Sequence, residues 1–138
     1  MFKRIDHVAI AVNSIDATLA TFKQLVDEGV ASISYEEVPA QKVKVAFLQI
    51  GDTKIEFLEP MAPDSTVSKY LEKRGEGLHH IALETDEIHN EVAGVKARGF
   101  NPLSDPRLGA ENKLVTFLHP KETGRVLVEL VGQEASKD

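Results

Sequence analysis

An α+β fold made of two tandem βαβββ modules is predicted by three recurrences in the sequence. "IDHVAIAVNSI" (Ile5–Ile15) returns as "LHHIALETDEI" (Leu78–Ile88), 73 residues later. "VAFL" (Val45–Leu48) returns as "VTFL" (Val115–Leu118) at an offset of 70. "TKIEFL" (Thr53–Leu58) returns as "VLVELV" (Val126–Val131), again at 73. Matches in the same order along the chain mark an internal duplication, and a small length difference in the last hairpin accounts for the changed offset.

The elements of the first module follow in turn. Ile5–Val12 is a strand of β-branched and small apolar residues. Asn13 or Ser14 can cap a helix that places Ile15, Leu19, Phe22 and Val26 on one face and stops at Gly29. Strands are expected near 32–38, 43–50 and 54–59, with Gly51 and Asp52 turning the last hairpin. A connecting helix over 66–74 ends at Lys73-Arg74-Gly75.

In the second module, 80–85 is a strand. Asp86 is the expected cap of a helix with Ile88, Val92 and Val95 turned inward and Gly99 as its stop. Weaker strand signals lie at 100–103, stronger ones at 113–118 and 125–131. The whole reads as a single domain over 1–138: module one about 1–62, the connecting helix about 63–76 and module two about 77–133.

Composition narrows the function. Of 138 residues, 42% are hydrophobic and 28% charged, the profile of an ordinary globular protein. A formal charge of −6 argues against nucleic acid or an anionic membrane as a partner, though a few local cations can still hold an anionic small molecule. There is no cysteine, so a metal here must use His, Asp or Glu. The N-terminal "MFKRIDH" enters a charged strand directly and no apolar run reaches membrane-spanning length, so a cytoplasmic location is expected.

The duplication singles out four residues. His7 and His80 occupy equivalent places on the first strands, Glu56 and Glu129 on the last, and the His-to-Glu spacing is 49 residues in both modules. Both glutamates lie in apolar strands, where an unpaired carboxylate would be costly. Two imidazoles and two carboxylates suit a divalent ion such as manganese, cobalt, nickel, zinc or iron. His79 stands where Asp6 stands in the first module, so alternation turns it away from His80 and toward a structural hydrogen bond. His89 and His119 lie in polar contexts and read as surface or structural residues.

Paired βαβββ modules with one His and one Glu from each resemble the vicinal oxygen chelate, or glyoxalase-like, superfamily. The stretches "DHVAIAV", "VKVAFLQIGDTKIEFLEP", "YLEKRGEGLHHIALETD", "FLHPKETG" and "VLVEL" are more specifically similar to the methylmalonyl-CoA epimerase family. That resemblance implies a cup-shaped curved mixed sheet, a metal held by His7, Glu56, His80 and Glu129, an acyl-CoA substrate and a homodimer. It also implies epimerisation by removal and return of the α-proton through a metal-stabilised enolate, with Glu129 as one acid–base group.

The family's other base is a glutamate just before a Gln or His and a Gly. Here Ala40 takes the glutamate position and Lys42 the glycine position, leaving Glu37 or Glu36 as the carboxylates nearby. "GAENK" (Gly109–Lys113) lacks a usual second glycine, and "TGRVL" has one glycine where two are usual. A glyoxalase I-like enzyme on the same scaffold, or a non-catalytic binder of an acyl-CoA or small acid that has lost one base, are the alternatives. An extradiol dioxygenase fits less well, because such sites use two His and one carboxylate.

Overall fold

The strands and helices come in the expected βαβββ order in both halves. The computed structural model describes residues 1–27, 29 and 31–134. Its elements are β1 (Phe2–Ala11), α1 (Ile15–Phe22), β2 (Ala31–Val38), β3 (Val43–Ile50), β4 (Thr53–Pro60), α2 (Thr66–Arg74), β5 (Gly77–Thr85), α3 (Ile88–Ala97), β6 (Arg107–Leu108), β7 (Leu114–Leu118) and β8 (Val128–Gly132). The chain forms two compact units, one of residues 7–79 and the other of residues 1–6 with 80–138. Thus α2 belongs to the first unit, while the opening six residues belong to the second.

In the first unit the strand order is β2-β3-β4-β1. β1 runs parallel to β4, and β3 is antiparallel to both of its neighbours. Ser14 caps α1 by accepting from the Ala17 N–H, and Asp16 adds negative charge in the first turn, where the helix dipole favours it. Ile15 and Leu19 then bury against Val12, Ala46, Leu48 and Phe57.

α1 stops at Phe22, well before the expected end at Gly29. Beyond it the Gln24 and Leu25 amides bond three residues back, to Thr21 and Phe22, which tightens the last turn toward 3₁₀ geometry. Val26 still packs on the core from this turn. α2 forms at the expected residues, with Ser65 accepting from the Ser68 N–H and Gly75 closing it at φ 74°. There glycine is required because a Cβ disfavours left-handed backbone.

In the second unit the order is β5-β8-β7-β6, with β5 parallel to β8 and the rest antiparallel. Its core joins Ile88, Val92 and Val95 of α3 to Leu118, Val128 and Leu130, and Phe2 packs against this group. The cap of α3 is Glu87 rather than the expected Asp86. The Glu87 carboxylate accepts from the His89 and Asn90 amides, while Asp86 pairs with Lys3 at 3.1 Å.

Two further expectations are corrected here. No strand forms at 100–103: the Phe100 N–H bonds to the Val95 carbonyl at the helix end, and Pro102 has no N–H for a ladder. The Leu103 N–H reaches the Phe117 carbonyl at 2.9 Å, but the ladder on that edge of β7 is made by the two residues of β6. β8 begins at Val128 rather than Arg125, because Arg125 has φ 74° and interrupts the extended run. At the far end of β8, Gly132 lies so close to Thr85 that a Cβ would sit 2.9 Å from its carbonyl oxygen. Among the described residues no helix is long and apolar enough to cross a membrane.

Candidate metal-binding and catalytic site

Strand register places a His–Glu pair within each unit. In the first, β1–β4 pairing sets His7 beside Lys54 and Ala9 beside Glu56. Ala46, Leu48 and Phe57 pack on α1, so the alternating residues Phe47 and Glu56, which are register partners, face away from that helix. His7 Nδ1 lies 2.6 Å from Glu56 Oε2, and both side chains are 6% exposed. Lys54, two residues from Glu56, is also buried, with its ammonium 5.6 Å from the centre of the Phe47 ring.

The second unit repeats this arrangement. Ala82 of β5 lies beside Glu129 of β8, and His80 Nε2 is 3.1 Å from Glu129 Oε2. Phe117 pairs across the ladder with Glu129 and meets the His80 ring edge-on, centroids 5.5 Å apart. Each pair is therefore accompanied by a phenylalanine at the same place in the duplication, the third residue of "VAFL" and "VTFL". That recurrence is legible in the sequence, yet His–Glu reasoning alone passes over Phe47 and Phe117.

These donors fit a divalent metal ion. Ligand atoms held at about 2.1 Å from one ion and at right angles would lie roughly 3.0 Å apart. The separations of 2.6 and 3.1 Å bracket that value. In each unit a buried carboxylate stands beside an imidazole, donor types that a divalent ion accepts, and a buried carboxylate needs compensation.

The other sequence-selected residues separate clearly. Glu37 is the residue expected as a second acid–base group. It pairs with Lys44, on the side of the sheet that carries Ala46 and Leu48, and lines a cleft with Ile15 and Asp16. Alternation along β3 puts it on the opposite face from Glu56. Glu36 pairs with Val45 and so shares the face of Phe47 and Glu56. Ala40 sits in an exposed 3₁₀ turn, Pro39–Gln41. His79 meets the Tyr70 ring edge-on, with centroids 4.8 Å apart. His89 lies 3.6 Å from Glu134 at the surface, and His119 Nδ1 accepts from the Lys121 N–H.

Left-handed backbone persists where the family resemblance leads one to expect glycine. Lys42 has φ 54°, Glu111 and Asn112 both have φ 58°, and Arg125 has φ 74°. A left-handed residue bearing a Cβ costs roughly 1–2 kcal/mol. The loops have kept a glycine shape while taking on side chains.

Comparison with known proteins agrees with this geometry. Residues 6–117 match the family described as the Glyoxalase/Bleomycin resistance protein/Dioxygenase superfamily. The chain is 39% identical over 129 residues to mitochondrial methylmalonyl-CoA epimerase of Homo sapiens, covering 92% of this chain and 72% of that one. It is 37% identical over 133 residues to the ethylmalonyl-CoA/methylmalonyl-CoA epimerase of Cereibacter sphaeroides, covering 94% and 98%. A variant of Streptomyces coelicolor methylmalonyl-CoA epimerase, solved in complex with 2-nitronate-propionyl-CoA, superposes with a TM-score of 0.88 at 37% identity, covering 98% of this chain and all of that one. The fold is that of the vicinal oxygen chelate, or glyoxalase-like, class. Within that class the chain belongs to the methylmalonyl-CoA epimerase family, a family of enzymes.

Proposed function

We propose that the protein interconverts the two epimers of methylmalonyl-CoA, with His7, Glu56, His80 and Glu129 together holding one divalent metal ion. The single observation that carries the reading is the duplicated His–Glu pair, buried in both units, in a chain that belongs to this epimerase family. These four residues would hold the ion, which would supply Lewis-acid stabilisation of the negative charge that develops when the α-proton is removed. Glu129 removes or returns the α-proton, its carboxylate standing 3.1 Å from His80 Nε2, the separation of neighbouring ligands around one ion. Phe47 and Phe117 line the two pairs and limit water, which strengthens the charge interactions around them. A homodimer and a cytoplasmic location belong to the same reading.

The test is NMR of one epimer of methylmalonyl-CoA in D₂O with protein reconstituted with a divalent metal. Replacement of the α-proton by deuterium and appearance of the other epimer are expected. If neither occurs, the reading is wrong. Ala40 favours a second reading, an acyl-CoA binder that has lost one base. Such a protein would bind the thioester without interconverting the epimers.

A further inference from the structure

We infer that the turn joining β7 to β8, residues 119–125, binds a phosphate group of the coenzyme A carrier, with Arg125 as its principal donor and Lys121 as the second. This rests on the acyl-CoA reading above and identifies where the distal part of that substrate is held.

The turn is built as a rigid frame. The Arg125 N–H donates to the Pro120 carbonyl at 2.7 Å and the Glu122 N–H to the His119 carbonyl at 2.9 Å. Thr123 Oγ1 donates to the Val126 carbonyl at 2.6 Å, and His119 Nδ1 accepts from the Lys121 N–H at 3.0 Å. Backbone held in this way presents its side chains without a large ordering cost on binding.

Its charge is unbalanced in a particular way. Glu122 is the turn's acidic residue, and its carboxylate is committed to Asn101, accepting from the backbone N–H at 3.1 Å and from Nδ2 at 2.9 Å. Lys121 and Arg125 are exposed and have no side-chain partner among the described residues. In a chain of formal charge −6, two cations left unpaired on one short frame form a local anion site.

The backbone argues that the arginine is there for its side chain. Arg125 holds φ 74°, where glycine would be at ease, and its side chain makes no hydrogen bond or ion pair among the described residues in return. Lys42 is the instructive contrast. It is also left-handed, but its ammonium is bonded to Asp64, so a structural contact accounts for it. The position of Arg125 suits the role as well. Leu118 and Val128 close the β7–β8 ladder one residue beyond the Phe117–Glu129 pair, so the turn begins close to the proposed base.

The experiment compares wild type, Arg125→Gly, Arg125→Lys and Lys42→Gly. Arg125→Gly is expected to raise KM for methylmalonyl-CoA, and the Kd of free coenzyme A measured by calorimetry, about tenfold, with Arg125→Lys intermediate. The difference from wild type should vanish on the phosphate-free methylmalonyl-pantetheine thioester. Lys42→Gly, which relieves the same backbone conformation, should leave both constants at the wild-type value. Unchanged KM and Kd in Arg125→Gly, or an equal loss on the phosphate-free thioester, would overturn the assignment. Wild-type protein that binds coenzyme A through Arg125 but turns over no methylmalonyl-CoA would leave this site standing and remove the proposed reaction.

Discussion

Glu129→Gln is expected to lower kcat for epimerisation by about 10²–10⁴-fold, the usual contribution of a positioned acid–base group. The amide keeps the volume of the side chain, which matters at a residue 6% exposed on a central strand. It is isosteric with the carboxylate, so the packing around His80 and Phe117 survives the change. What it cannot do is accept the α-proton. The loss should therefore appear in the rate of deuterium incorporation as well as in turnover, while circular dichroism and melting temperature stay close to wild type. An amide is also a weaker donor to a divalent ion, so the assay is run at saturating metal to isolate the proton-transfer defect. A Glu129→Gln enzyme that exchanged the α-proton at the wild-type rate would show that another residue is the base.

Phe57→Ala is expected to destabilise the fold by about 3–5 kcal/mol, the range for emptying a buried aromatic site. Phe57 is fully buried between Ala46, Leu48, Ile15 and Leu19. Its ring meets that of Phe22 edge-on, centroids 4.9 Å apart, a geometry that adds to the burial. Loss of that contact also frees α1 from the strand that carries Glu56 on its other face. The measurement is chemical denaturation, with a lowered midpoint and a melting temperature lower by roughly 10–20 °C. A change under about 1 kcal/mol would mean that α1 is not anchored through this residue.

Much of the fold was legible because the duplication gives each element a second, independent copy. The His7–Glu56 and His80–Glu129 pairs were found through that symmetry, and register within each unit brings both pairs to hydrogen-bonding distance. The failures have local physical causes. Asp86 and Glu87 are both competent caps; Glu87 takes that role, while Asp86 pairs with Lys3, 83 residues away in sequence. The strand expected at Arg125 required extended backbone that Arg125 does not adopt. The faces of Glu36 and Glu37 could not be read from the sequence, because for two adjacent carboxylates on a strand only the register with Val45 and Lys44 decides them. The cation-bearing turn was hidden for a different reason. Whether Lys121 and Arg125 are paired depends on where Glu122 points, and Asn101, distant in sequence, determines that.

The central claim is that the two His–Glu pairs serve a single ion. Calorimetric titration of metal-free protein with Co²⁺, for wild type, His7→Ala and His80→Ala, tests it most directly. One ion per chain in the wild type, with tight binding lost in either variant, is the predicted result. Two ions per chain, or full-strength binding retained when His7 alone is removed, would contradict it.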